Sequence, residues 1–220
     1  MEQSEILTEV AKAVTEGQAE RARELAKRGL EMQLDPLEII NEAMTPAVQA
    51  IGDQFGRGEV WLPQLVMAGN AMAAGLEILE PVLAERGTAR DFVGTMVMAT
   101  VSGDVHTIGK DMVVTLSKAN GFSVVDLGVD VPSSVILEKV AELKPDILGL
   151  SALMTTTMLK QEEVINRLQE AGIRDKVKVL VGGAPATEAW AEEIGADGYA
   201  ADAAAAANLC LRLMSAPAPD

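Results

Sequence analysis

Gly103-Asp104-Val105-His106-Thr107-Ile108-Gly109-Lys110 lies between an apolar run, 92–101, and an amphipathic segment that starts near Ile108. The run before it reads as a buried strand and the segment after it as a helix. The octapeptide is therefore a strand-to-helix turn, and α/β folds bind ligands at such turns, outside the carboxyl ends of their strands. His106 is the only histidine in the chain. An Asp two residues before a His can hold one ring nitrogen by a hydrogen bond and leave the other free for a metal. Gly109 lets backbone approach a bulky ligand with no Cβ in the way.

Toward the C-terminus the pattern repeats. Apolar runs at 122–127, 147–150, 177–181 and, weakly, 198–200 follow the first. Helical segments fall near 108–120, 132–143, 156–171 and 187–195, and an Ala-rich helix at 203–214 closes the series. Strands alternating with helices imply a doubly wound α/β domain with a five-stranded parallel sheet. The tail, 215–220, is expected to fray.

Toward the N-terminus the period is helical. Ile6, Leu7, Val10 and Val14 share one face, and Gly17 ends that helix. A second helix carries Ala22, Leu25 and Ala26. A third opens with Asp35 as cap, Pro36 at the first position and Glu38 at the third. Its apolar face runs Leu37, Ile40, Met44, Val48, Ile51, Phe55, until Gly56-Arg57-Gly58 stops it. The fourth starts near Leu62-Pro63, and Pro81 is expected to bend or shorten its end. Four helices with short connections read as a bundle. Residues 86–90 read as a linker, so the expected domains are 1–88 and 89–215.

Composition narrows the partners. The chain has 220 residues, 49% hydrophobic but only 3% aromatic, so its core is built of Ala, Val, Leu, Ile and Met. A net charge of -15 argues against nucleic acid or an anionic membrane as partner. No apolar run of membrane-spanning length is evident, and the first residues lack the pattern of a signal peptide. One cysteine, Cys210, cannot close an internal disulfide, which makes the cytoplasm the expected compartment.

Three features fall at successive strand ends: the loop of Asp104, His106 and Gly109, then 151–157 with its Ser and Thr residues, then Gly182-Gly183. In a doubly wound sheet they line one crevice. Asp-x-His-x-x-Gly, with Ser-x-Leu about 45 residues on and Gly-Gly about 30 further, resembles the cobalamin-binding signature of methionine synthase and its relatives. The N-terminal half agrees, because 52–59 with Leu62-Pro63-Gln64 is similar to the helical cap of that family. With only these two modules, the chain looks most like the free-standing corrinoid proteins of anaerobic methyltransferase systems.

The resemblance implies a helical cap followed by a Rossmann-like, flavodoxin-like cobalamin-binding domain. It implies a corrinoid held base-off and His-on, with His106 as lower axial cobalt ligand in place of the cofactor's own benzimidazole. Asp104 would accept from the other ring nitrogen. A hydroxyl residue completes that relay in the family; the usual Ser is Thr157 here, which keeps the hydroxyl and adds a methyl. Ser151 and Thr155 match residues that contact the displaced nucleotide tail, and Gly182 and Gly183 match glycines that let the tail pass. Thr107, Ile108 and Leu153 complete the expected contacts, and Phe55 and Leu62 match residues over the upper cobalt face.

The implied function is a methyl carrier, served by a substrate-specific methyltransferase, a second methyltransferase with tetrahydrofolate or a thiol coenzyme as acceptor, and a reductive activase. A cobalamin-dependent sensor or a mutase small subunit shares the signature, but the first needs a signalling module and the second no cap. A receiver-like domain would carry more acidic residues at the end of the first strand, and a zinc enzyme needs more His and Cys. Cys210 reads as a buried structural thiol, and Trp61 and Trp190 as either cofactor-lining or core.

Overall fold

The computed structural model describes residues 3–86 and 92–215. The expected linker beyond Arg86, the expected boundary at 88/89 and the tail beyond Ser215 lie outside them. The chain divides into two compact units: Met1–Phe92 with Lys118–Gly121, and Val93–Ser117 with Phe122–Asp220.

The first unit is helical among its described residues: α1 (Gln3–Thr15), α2 (Ala19–Glu31), α3 (36–56) and α4 (Leu62–Glu85). Its core joins Ile6, Val10 and Val14 of α1 to Leu25, Met44, Val48 and Leu79, all buried. Asp35 caps α3, its carboxylate accepting from the Leu37 amide at 2.8 Å. Two expectations change. First, α3 is interrupted by a π-helical stretch, Ile39–Met44. Pro46, two residues on, has no N–H for the Glu42 carbonyl and crowds it; a widened turn relieves that conflict. Second, Pro81 does not shorten α4, which continues to Glu85. Leu79 and Leu83 are buried on either side of the proline, and that packing holds the last turn.

The reading that no apolar run reaches membrane-spanning length is corrected as well. Leu62–Glu85 has that length, with a mean hydropathy of 1.2 in its most apolar window, half of which is buried. Its apolar residues include Ala71, Met72, Leu76 and Leu79 of the helical core.

In the second unit all five strands run parallel, in the order β2-β1-β3-β4-β5. They are β1 (Thr95–Thr100), β2 (Ser123–Asp126), β3 (Ile147–Ser151), β4 (Lys178–Gly182) and β5 (Gly198–Ala200). Between and after them lie α5 (Ile108–Ala119), α6 (Ser133–Leu143), α7 (Thr155–Glu170), α8 (Glu188–Glu193) and α9 (Ala203–Ser215). The first strand starts at Thr95, not 92; Phe92 and Val93 are exposed.

Strand alternation divides the core in two. Val97, Ala99, Leu148, Leu150, Val179 and Val181 pack with residues of α6, α7 and α8. Met96, Met98, Ile147 and Leu180 face the other way, with Val114 of α5 and Cys210 of α9. Because β1, β3 and β4 are neighbours, the three strand ends singled out in the sequence do stand side by side.

Candidate functional site

The site is built on the end of β1. Asp104 has no exposed surface, and the His106 side chain is 50% exposed. The His106 ring places Nδ1 2.7 Å from Asp104 Oδ1, and the His106 amide donates to the same oxygen at 3.0 Å. The other oxygen, Oδ2, accepts from the Leu153 amide and from the Thr157 hydroxyl, both at 2.7 Å. Burial acts to raise the Asp104 pKa; the bonds from Leu153, Thr157 and His106 outweigh it and hold the carboxyl well below the usual carboxylate range. An ionised Asp104 cannot donate, so the proton between them sits on Nδ1; in the neutral ring that leaves the lone pair on Nε2.

Three residues that sequence reasoning passed over steady this loop. Thr100, fully buried, donates its hydroxyl proton to the His106 carbonyl at 3.0 Å. Asp130 accepts from the Gly103 amide at 2.6 Å, and its own amide donates to the Asp104 carbonyl at 2.8 Å. Lys110 is buried, yet its ammonium pairs with Asp111 at 2.7 Å and with Asp126 at the end of β2. Burial works against that charge, but the two carboxylates prevail and hold the Lys110 pKa above its ordinary value. The sequence signal for Lys110 was its place in the loop beside Asp111; nothing in the sequence marks Asp126 as its partner.

Within this unit a cavity of ≈ 630 Å³ opens on the face covered by α5 and α9. Its lining includes His106, Thr107, Ile108 and Gly109 from the first strand end, Ser151 and Leu153 from the second, and Gly182 and Gly183 from the third. Thr155 is exposed at the start of α7 and does not line it. Thr157 stands behind the wall, against Asp104. Phe55 and Leu62 belong to the helical unit, half-buried at the end of α3 and the start of α4. Val105 and Ile108 beside His106 are 68% and 78% exposed, and Leu153 and Met154 are exposed too, an apolar rim around the imidazole. Sequence reasoning also missed Gly149, Ala203 and Ala206, which line the cavity and give it room.

Two of the undecided residues resolve, and the third is removed from the core. Trp190 packs in the α6–α8 core and donates its indole N–H to Gln161 at 3.0 Å. Gln161 in turn donates to the carbonyls of Leu150 and Gly182, both at 3.0 Å, tying β3 to β4. Trp61 is 82% exposed. Cys210 is buried among apolar side chains, and burial pushes its thiol up to about 12.

Among the described residues no group of three or more His, Cys, Asp or Glu side chains converges on one point. A metal held by one imidazole must bring its remaining ligands with it, as a macrocycle does. A B12 binding domain model matches residues 94–208, and a second B12 binding domain model matches 6–80. Trimethylamine corrinoid protein 2 of Methanosarcina acetivorans is 46% identical over 204 residues, which is 93% of this chain and 94% of that one.

The chain belongs to the corrinoid proteins of methyltransferase systems.

Dimethylamine corrinoid protein 1 of the same organism is 43% identical over 98% of this corrinoid protein and 100% of its own length. The methanol:cobalamin methyltransferase complex MtaBC from Methanosarcina barkeri contains a chain 33% identical, with a TM-score of 0.86 over 97% of this chain and 81% of that one. The fold of the corrinoid protein is thus a helical cap unit with a Rossmann-like cobalamin-binding domain.

Proposed function

We propose that the chain is a methyl carrier: it holds a corrinoid base-off with His106 Nε2 as the lower axial ligand, and serves a substrate-specific methyltransferase and then a second one. The observation that carries this is the free Nε2 of an imidazole fixed by a buried, ionised carboxylate at the mouth of an apolar cavity. The donor set fits the cofactor, because neutral imidazole is a good ligand for cobalt and the exposed apolar rim suits a flat apolar face. When bound, the corrinoid supplies the cobalt chemistry that takes up and releases a methyl group.

The rest is done by the chain. Asp104 keeps the proton on Nδ1 and the ring at one angle. Thr157 holds Asp104 Oδ2, so the carboxylate cannot turn away. Only an unprotonated Nε2 has the lone pair that a metal needs. Gly109 leaves open space on the cavity wall, where nothing beyond its own stretch of helix lies within 4 Å of the position a Cβ would take. Ser151 offers a hydroxyl to the tail at the mouth, and Thr155 offers one from the exposed start of α7. Gly182 and Gly183 leave passage for it, and the helical unit supplies Phe55 and Leu62 as shields for the reactive face.

The relatives named for trimethylamine and dimethylamine support a methylamine as methyl donor, and the MtaBC neighbour supports a methyltransferase partner. The second methyltransferase, with tetrahydrofolate or a thiol coenzyme as acceptor, a reductive activase and a cytoplasmic setting complete the proposal.

The test uses the uniqueness of His106. In the cobalt(II) form of the cobalamin-loaded protein, the axial nitrogen splits the EPR lines into triplets. Histidine labelled with nitrogen-15 should turn them into doublets, and His106→Ala should lose the pattern. Triplets that survive the label would show that the cofactor's own base stays bound, and the proposal fails.

A further inference from the structure

Two residues below Ser151, about 7 Å down the strand, the cavity meets its floor. There Met98, Gly149 and Leu180 stand in register on β1, β3 and β4. Gly149 is flanked by flexible thioethers. A Cβ on it would lie 2.1 Å from Met98 Sδ and 3.2 Å from Met96 Cε, so the two methionines occupy the space that any side chain at 149 would take. Val113 of α5 closes the same end.

Among the described residues that line the cavity, none on this floor has a hydrogen-bonding side chain. The strand backbones are paired within the sheet. Lys110 on the wall gives its ammonium to Asp111 and Asp126, and Asp202 accepts from the Ala205 amide at 2.8 Å. A polar group pushed down to this level loses its water and finds no partner, at a cost of about 1–3 kcal/mol, or roughly 5- to 150-fold in affinity. Dimethylbenzimidazole brings one unpaired ring nitrogen to this level where adenine brings three and an amine, and methionine adapts its shape to the apolar remainder.

We infer that Met96, Met98 and Gly149 select the lower base of the corrinoid: the cavity takes a tail ending in an apolar bicyclic base, of the dimethylbenzimidazole kind, in preference to a purine. This rests on the corrinoid reading above. Gly149 provides the depth, the methionines provide the fit, and discrimination comes from the greater number of ring nitrogens, and the amine, that a purine would leave without partners. Nothing in it depends on the methyl donor or acceptor.

Three probes separate the possibilities: cobalamin, its analogue with adenine as lower base, and cobinamide, which has no nucleotide tail. Affinity is read by spectral titration of the full chain. The parent should bind cobalamin at least about tenfold tighter than the adenine analogue. Gly149→Ala should push Met98 into the cavity and weaken cobalamin about tenfold, with cobinamide unchanged within about twofold. Equal binding of the two bases by the parent overturns the inference, and this arm needs no variant to fold. Equal losses of cobalamin and cobinamide in Gly149→Ala overturn it too, because the glycine would then serve only the fold. Failure of the parent to bind all three probes removes the corrinoid reading and this inference with it.

Discussion

Asp104 accepts hydrogen bonds from two amides, a hydroxyl and a ring nitrogen while wholly buried, so it holds the loop together as well as orienting His106. Its pKa is lower folded than unfolded, where a carboxylate titrates near about 3.9. A depressed carboxyl contributes stability that is present above the unfolded value and lost as pH falls toward the folded one. Thr157→Val removes one bond to the charged form, with an expected loss of about 1.5–3 kcal/mol at pH 7. That loss should shrink as the pH falls below about 4, and Thr157→Ser should restore most of it. Urea denaturation across pH checks this; a loss that stays constant with pH would mean that Thr157 acts by packing alone. Sequence spacing revealed Asp104 and His106, two residues apart. It could not reveal Thr100 or Asp130, because a threonine in a strand and an aspartate in a turn carry no mark of the carbonyl or amide they will meet.

At the scale of elements, two of the glycine positions taken from the sequence behave differently. Gly183 has φ +114°, and a Cβ on it would lie 1.7 Å from the Ala152 carbonyl oxygen. The fold itself requires that glycine, whatever else passes by. Gly109 sits in the first turn of α5 beside open space. Gly183→Ala should therefore destabilise the apoprotein by about 3 kcal/mol or more, from strain and backbone collision together. Gly109→Ala should leave the apoprotein as stable or up to about 1 kcal/mol more so, and its effect should appear as weaker cobalamin binding. Chemical denaturation of both variants, with a cobalamin titration of the second, decides between these roles. Matching stabilities would deny the distinction. The element types and most boundaries in this unit were legible, because period and turn residues are local signals. The π-helical stretch before Pro46 and the continuation of α4 past Pro81 were not. Each depends on how neighbouring helices bury the side chains around the proline.

Each of the two units has a core of its own. A ligand seated against β1, β3 and β4 should stabilise the sheet unit by mass action, by about 2.7 kcal/mol at a hundredfold excess over its Kd. Hydrogen exchange should report this as slower exchange at Leu148, Leu150, Val179 and Val181 when cobalamin is added. Unchanged rates at saturating ligand would place the binding elsewhere. Phe55→Ala belongs to this scale also: with methylcobalamin bound, the variant should photolyse faster than the parent, and equal rates would remove Phe55 as a shield.

The order of strands and helices, the helical N-terminal half, the Asp-x-His-x-x-Gly turn and the family were readable in one dimension, because each is written in residues near one another or at fixed spacing. The cavity was not. Its room comes from Gly149, Ala203 and Ala206, its floor from Met96 and Met98, and its wall from a buried lysine. These residues lie on four separate elements, β1, β3, α5 and α9. Small and apolar side chains look alike in sequence whether they fill a core or leave one open. Only the register of the strands and the packing of α5 and α9 over them determine which of the two they do.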